Sequence, residues 1–161
     1  MFKKFLLMYN ASSKLLCSAK SMNVENMDIE SKIGQMMCLD FRFWGRKDYN
    51  TSSASDSLKP VTEINDEIKE IIYKYHIGSI ILFSQNFQSK EQAKKLIEDF
   101  QKASLDSGNP PLLICVDQEG GLVERFSFGR DKLKNNAEIR TSEEAFEKGK
   151  IIGNELAELG I

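Results

Sequence analysis

The sequence is poor in cysteine and histidine, which narrows the chemistry that it can carry. Its 161 residues include three cysteines and one histidine. The cysteines are odd in number and no two of them have zinc-ligand spacing. Because Cys38 and Cys115 lie inside apolar runs, we expect both to be buried, reduced thiols. Reduced thiols favour a reducing compartment, so the expected location is cytoplasmic.

The sequence also lacks an excess of charge and a long hydrophobic run. The formal net charge is -2, from 22 basic and 24 acidic residues. This balance gives no reason to expect nucleic acid or an anionic membrane surface as a partner. No apolar stretch approaches the roughly 20 residues that a membrane span needs. We therefore expect neither a nucleic-acid partner nor a membrane partner.

The first residues carry only a weak targeting signal. Lys3 and Lys4 precede about four apolar residues, whereas the hydrophobic region of a signal peptide has roughly 7–15. Helical periodicity begins at Asp28. We expect residues 1–27 to be a poorly ordered leader and residues 28–161 to form one folded domain.

Helical and strand patterns alternate after Asp28. Apolar spacing predicts helices over residues 28–36, 62–78, 89–107 and 141–160. The second helix is expected to begin at Thr62 as N-cap and to stop at Gly78. Short apolar runs predict buried strands at 37–39, 79–84 and 112–116, and the run at 79–84 is expected to be covered on both faces. A polar loop is predicted over residues 42–60.

This alternation predicts an α/β fold with a parallel sheet. About three strands are present, whereas a closed (β/α)8 barrel takes roughly 250 residues. The topology alone leaves two alternatives, a small three-layer α/β domain or an incomplete barrel. In the last helix, Gly149 and Gly153 are expected to allow close contact with the sheet.

The strongest chemical signal follows the last predicted strand. Residues 116–125 read Val-Asp-Gln-Glu-Gly-Gly-Leu-Val-Glu-Arg. Sites in parallel α/β folds form at the carboxyl ends of strands, where Asp117 can accept hydrogen bonds from hydroxyls and Arg125 can donate them. Gly120 and Gly121 let the backbone turn or approach closely. A structural interpretation stays open, in which Asp117 caps the loop and Glu119 pairs with Arg125.

Other interpretations have less support. A nucleoside-triphosphatase would need a G-x-x-x-x-G-K-[ST] loop, and the sequence has none. A divalent-metal site on Asp117 and Glu119 stays open, although two carboxylates at this spacing are common. His76 is predicted to lie in the last turn of a helix and to interact with its C-terminus. Phe43 and Trp44 are interpreted as packing residues rather than as stacking partners of a ligand.

Three segments of the chain are similar to one enzyme family. They are Lys32–Met36, Ile77–Phe83 and Val116–Gly121, the last together with Arg125. At these separations they resemble the N-terminal half-barrel of the β-N-acetylhexosaminidases of glycoside hydrolase family 3. The resemblance runs from about Asp28 to the last residue. It implies a partial TIM-type (β/α)8 barrel, of which this chain holds the first three or so β/α units.

The resemblance also implies a function. Such enzymes remove terminal N-acetylglucosamine residues from glycans or peptidoglycan fragments, with retention and without a cofactor. Asp117 and Arg125 match substrate-binding positions, so the expected partner is a carbohydrate. The aspartate nucleophile and the histidine acid are expected beyond residue 161, and the chain alone is expected to be inactive. The alternative is a non-catalytic α/β module that binds a sugar.

One position and one segment depart from the family pattern. Leu122 stands where an arginine is usual, so we expect weaker bracing of the loop. Residues 130–136 replace a turn that contains threonine and proline.

Overall fold

The computed structural model describes residues 24–45 and 58–161, which form an α/β domain. The helices are α1 Ile29–Gln35, α2 Asp66–Tyr75, α3 Lys90–Asp106 and α4 Ser142–Leu159. The strands are β1 Cys38–Asp40, β2 Phe43–Trp44, β3 Lys59–Pro60, β4 Ser79–Leu82 and β5 Leu113–Val116. Short 3₁₀ turns lie at Val24–Asn26, Ser84–Asn86 and Asn136–Glu138. Most of the predicted leader, residues 1–23, lies outside the described residues.

The main sheet has three parallel strands in the order β1-β4-β5. Cys38 pairs with Ser79, and Ser79 pairs with Leu113, so the first residues of the three strands lie side by side in the sheet. Helix α2 lies between β1 and β4 in the chain, α3 lies between β4 and β5, and α4 follows β5. The α/β class and the parallel sheet are confirmed.

The predicted loop over residues 42–60 contains more structure than the sequence indicates. Phe43 pairs with Pro60 and Trp44 pairs with Lys59, which makes β2 and β3 a small antiparallel ladder. Residues 46–57 of this loop lie outside the described residues. Two-residue strands leave no periodicity to detect, so this prediction was wrong at both ends of the loop.

Both predicted ends of helix α2 were wrong. Asn65, not Thr62, is the N-cap, and its Oδ1 accepts a hydrogen bond from the Ile68 amide at 2.8 Å. At the other end His76, not Gly78, takes the left-handed conformation with φ 50°, and its amide donates to the Ile72 carbonyl. The Thr62 carbonyl instead accepts a bond from Gln92 Nε2, which keeps Thr62 outside the helix.

The core lies on one side of the sheet. Ile80 and Leu82 of β4 are fully buried against α2 and α3, and Ile114 of β5 is 7% exposed. The predicted apolar face of α3 is buried as expected. Its members are Ala93, Leu96, Ile97, Phe100 and Ala103. Among the described residues, no helix is long and apolar enough to cross a membrane.

The opposite face of the sheet is open, which contradicts the prediction that the three strands are buried. Side chains alternate along a strand, so the neighbours of the buried residues point to the other side. There Leu113 is 64% exposed, Cys38 is exposed and Cys115 is half-buried. Both thiols are free, but the prediction that Cys38 is buried was wrong. Partial desolvation, with a smaller effect of Cys115, raises the pKa of the Cys38 thiol.

Helix α4 packs mainly through its C-terminal end. Leu159 is 1% exposed, and Glu158 forms an ion pair with Lys90 of α3. A Cβ atom at Gly149 or Gly153 would meet nothing within 4 Å. These glycines therefore do not allow a close helix–sheet contact in the described structure, and that prediction was wrong.

Candidate active-site edge

Five side chains gather at the carboxyl-terminal edge of the parallel sheet. Strand β1 ends at Asp40, Phe83 follows β4, and Asp117 follows β5. Arg42 and Arg125 reach the same edge and flank the Phe83 ring. We call these five residues the strand-end cluster. Carboxyl ends of parallel strands are where α/β folds place their sites.

Asp117 and Arg125, the two predicted site residues, form an ion pair within this cluster. Arg125 Nη2 donates to Asp117 Oδ2 at 3.2 Å. The Asp117 side chain is 47% exposed, so its carboxylate remains open to a ligand. Arg125 Nε is buried and has no acceptor among the described residues. The alternative pair of Glu119 with Arg125 is not formed.

A second aspartate–arginine pair lies on the other side of Phe83. Arg42 Nη2 donates to Asp40 Oδ2 at 2.6 Å, and the Arg42 amide donates to Asp40 Oδ1 at 2.7 Å. The Arg42 guanidinium carbon lies 3.6 Å from the Phe83 ring centroid, and that of Arg125 lies 5.1 Å from it. Cations on a ring face are attracted by its quadrupole. Phe83 therefore aligns both guanidinium groups.

None of Asp40, Arg42 and Phe83 is predicted as a site residue from the sequence. Asp40, like Asp117, is an aspartate at the end of a predicted strand, and this pattern could have indicated it as a site residue. What the sequence does not reveal is the contact between Arg42 and Phe83, which lie 41 positions apart by the printed numbering.

Gln118 fixes the backbone on which Arg125 stands. It is 9% exposed, and both ends of its amide are used inside the loop. The Arg125 amide donates to Gln118 Oε1 at 2.8 Å, and Gln118 Nε2 donates to the Phe126 carbonyl at 2.8 Å. Both bonds span the turn that separates Asp117 from Arg125. A buried amide whose oxygen and nitrogen both form hydrogen bonds favours one loop conformation.

The turn itself requires both of its glycines. Gly120 has φ 78° and Gly121 has φ 63°, a region that glycine enters without steric cost. A Cβ on Gly120 would lie 2.8 Å from the Lys134 carbonyl oxygen, and one on Gly121 would lie 2.9 Å from the Asn135 Cβ. The predicted role of Gly120 and Gly121 in turning and in close approach is confirmed.

Arg130, and not the residue at position 122, braces the loop that follows β5. Leu122 is 94% exposed and braces nothing. Arg130 forms ion pairs with Glu124 at 2.6 Å and with Glu155 of α4 at 2.5 Å. The Glu124 side chain is only 3% exposed. The bonds with Glu155 and then Glu124 raise the pKa of the Arg130 guanidinium. The sequence analysis expected weaker bracing at Leu122 and did not predict the ion pairs of Arg130 with Glu124 and Glu155.

The remaining candidates lie away from the cluster or serve packing. His76 precedes β4 and so stands at the opposite edge of the sheet, where its Nδ1 is 2.9 Å from Asn109 Oδ1. Its backbone caps α2, as the predicted helix-end role requires. Trp44 packs on the core and donates to Glu67, whereas Phe43 is 43% exposed. Within residues 24–45 and 58–161, no three His, Cys, Asp or Glu side chains form a metal-binding group.

Comparison with known families gives one match over most of the chain. The family described as "Glycosyl hydrolase family 3 N terminal domain" matches residues 28–161. Beta-hexosaminidase A of Pseudoalteromonas piscicida is 36% identical over 96 residues, which are 59% of this chain and 16% of that protein. A beta-hexosaminidase of Alkalilimnicola ehrlichii is 42% identical over 72 residues, 45% of this chain and 20% of that protein.

A solved structure agrees with these sequence matches. A glycoside hydrolase family 3 beta-N-acetylglucosaminidase from Paenibacillus is 32% identical and superposes with a TM-score of 0.68. The superposition covers 84% of this chain and 23% of that chain. The fold is therefore similar to a TIM-barrel-type domain. The chain matches a fifth or less of the length of the two curated relatives.

Proposed function

Because this chain belongs to the glycosyl hydrolase family 3 N-terminal domain family, we propose that its strand-end cluster binds the terminal sugar of a glycoside. The sugar is a terminal N-acetylglucosamine of a glycan or peptidoglycan fragment. Residues 28–161 supply the first β/α units of a barrel, and the reaction is hydrolysis of the glycosidic bond. The exposed Asp117–Arg125 pair at the end of β5 is the observation that carries this proposal.

The pair offers the two hydrogen-bonding functions that sugar hydroxyls require. An ionised carboxylate only accepts hydrogen bonds, and a guanidinium only donates them. Asp117 keeps one oxygen, Oδ1, free of the bond to Arg125, and Arg125 uses Nη2 alone. A hydroxyl can thus donate to Asp117 while a neighbouring hydroxyl accepts from Arg125. Bonds to charged groups are the strong ones, so these two residues set the orientation of the ring.

The same geometry argues against Asp117 as the catalytic acid. A retaining glycosidase uses two catalytic groups on opposite sides of the scissile bond. Asp117 and Asp40 each form an ion pair with an arginine, and a carboxylate in an ion pair accepts hydrogen bonds rather than donating a proton. We propose that nucleophile and acid belong to other parts of the enzyme, and that the 161-residue chain binds the sugar without hydrolysing it. A non-catalytic sugar-binding module is the alternative function that this arrangement also supports.

Asp117→Asn is expected to weaken binding of N-acetylglucosamine to this chain by about 10- to 100-fold, because one charge-assisted hydrogen bond is lost. Arg125→Met is expected to weaken it to a similar extent. Isothermal titration calorimetry of the 161-residue chain with the free sugar measures both. Asp131→Asn is the matched control, since Asp131 is an exposed aspartate outside the cluster.

Equal affinities for the wild-type chain and Asp117→Asn would contradict the proposed site. A chromogenic N-acetylglucosaminide separates the two functions. We expect no turnover by the 161-residue chain. Turnover that Asp117→Asn abolishes would show that these residues already contain the catalytic groups.

A further inference from the structure

An open groove lies between the Gln118–Glu119 segment and helix α4, and its lining includes none of the five residues of the strand-end cluster. Its volume is about 440 Å³. Its polar lining comes from Gln118, Glu119, Asn136 and Lys148, and its apolar lining includes Ile139 and Ile152. Below it is called the α4 groove.

Lys148 is the unusual residue of the α4 groove. It is a lysine with only 8% exposure, on a helix whose other lysine, Lys150, has a side chain 59% exposed. Its Nζ donates to the Lys134 carbonyl at 2.8 Å and to Asn136 Oδ1 at 2.5 Å. Both acceptors are neutral. An ammonium group has three donors, so one N–H of Lys148 remains without an acceptor among the described residues.

No carboxylate of the described residues forms an ion pair with Lys148, although Glu119 lines the same groove. The candidate one helical turn before it is Glu144, whose Oε1 accepts from Lys134 Nζ at 2.7 Å and whose Oε2 accepts from the Arg140 amide at 2.8 Å. Glu155, two helical turns after Lys148, is held by Arg130. Burying an ammonium group without a counter-ion is costly. Lys148 is therefore a buried lysine without an ion-pair partner among the described residues.

From this geometry we propose that Lys148 is the anchor of an anion-binding site in the α4 groove. The ligand is a small molecule that carries a carboxylate or a phosphate group, the acidic oxygens of which accept the third N–H of Lys148. The apolar lining by Ile139 and Ile152 fits a short hydrocarbon part of such a ligand. Glu119 is exposed, and its carboxylate weakens the binding of an anion in the groove. The site does not depend on the proposed glycosidase function.

The 161-residue chain tests this site with inorganic phosphate and with acetate as probes. At constant ionic strength set by sodium chloride, saturating phosphate is expected to raise the melting temperature by about 2–4 °C. Lys148→Met, which keeps the length of the side chain and removes the charge, is expected to abolish that rise. Lys150→Met is the matched control on the same helix and is expected to keep it.

A second variant keeps the proposal testable if Lys148→Met does not fold. Glu119→Gln removes the like charge at the rim and is expected to tighten phosphate binding by about two- to fivefold, measured by ³¹P line broadening. A rise in melting temperature that Lys148→Met retains would overturn the proposal. So would the absence of any phosphate or acetate effect on the wild-type chain. A response to phosphate alone would assign the site to phosphate rather than to carboxylate ligands.

Discussion

Gly78→Ala is expected to abolish the cooperative unfolding transition of the domain. A Cβ on Gly78 would lie 2.3 Å from the Gln35 carbonyl oxygen, and one on Gly34 would lie 2.0 Å from the Tyr75 carbonyl oxygen. The obstacles are backbone atoms, which cannot rotate away as a side chain can. The Gly78 amide also donates to the Gly34 carbonyl at 3.0 Å, so the end of α1 and the start of β4 touch directly.

The cost of either alanine is expected to exceed about 3 kcal/mol, because separating the two segments disrupts the core on which β1 and β4 pair. A domain of this size has only about 5–15 kcal/mol of stability. Urea unfolding followed by circular dichroism measures the change. The alanine variants Gly149→Ala and Gly153→Ala are controls, since a Cβ there meets nothing within 4 Å.

These two controls are expected to gain about 0.5–1 kcal/mol each, because alanine is the better helix former. The account would be contradicted if Gly78→Ala unfolded at the same urea concentration as the wild-type chain. A loss of stability in Gly149→Ala would show instead that α4 packs more closely than the structure describes.

Asn86→Leu is expected to cost about 4 kcal/mol of folding free energy, because it leaves buried backbone groups without partners. Asn86 is 0% exposed. Its Nδ2 donates to the Phe41 carbonyl at 3.1 Å and to the Val61 carbonyl at 2.8 Å. Its Oδ1 accepts from the Phe83 amide at 2.9 Å. The Asn86 side chain thus links the residues that follow β1 and β4 to Val61, which follows β3.

Thermal and urea unfolding of Asn86→Leu measure this cost. Asn154→Leu is the matched control, since Asn154 is exposed on α4 and is expected to change stability by less than about 0.5 kcal/mol. Equal stability of Asn86→Leu and Asn154→Leu would refute the role given to Asn86.

The elements with strong periodicity could be predicted from the sequence, and those fixed by tertiary contacts could not. Helix α3 follows its predicted face because its apolar residues recur at helical spacing and all meet the sheet. The start of α2 was misplaced because Thr62 and Asn65 are both good caps. Gln92 of α3 decides between them by binding the Thr62 carbonyl, a contact across 30 positions.

The same limit applies to the candidate site. Asp117, Gly120 and Gly121 could be predicted because they follow a strand directly and lie in one short segment. Arg42 could not be predicted, because its place in the cluster depends on the contact between its guanidinium group and the Phe83 ring. Gln118 is a polar residue of a kind that is common in loops. Only the structure shows that it is buried and that it holds Arg125 in place through a hydrogen bond.

The central claim is that the strand-end cluster binds a sugar, and a titration followed by NMR tests it most directly. The ¹⁵N-labelled 161-residue chain is titrated with N-acetylglucosamine, and shifts of the backbone amides are mapped on the structure. We expect the largest shifts at Asp117 and Arg125, with smaller ones at Arg42 and Phe83, and none at His76 on the opposite edge of the sheet. Shifts confined to other surfaces, or none at millimolar sugar, would contradict the proposed site.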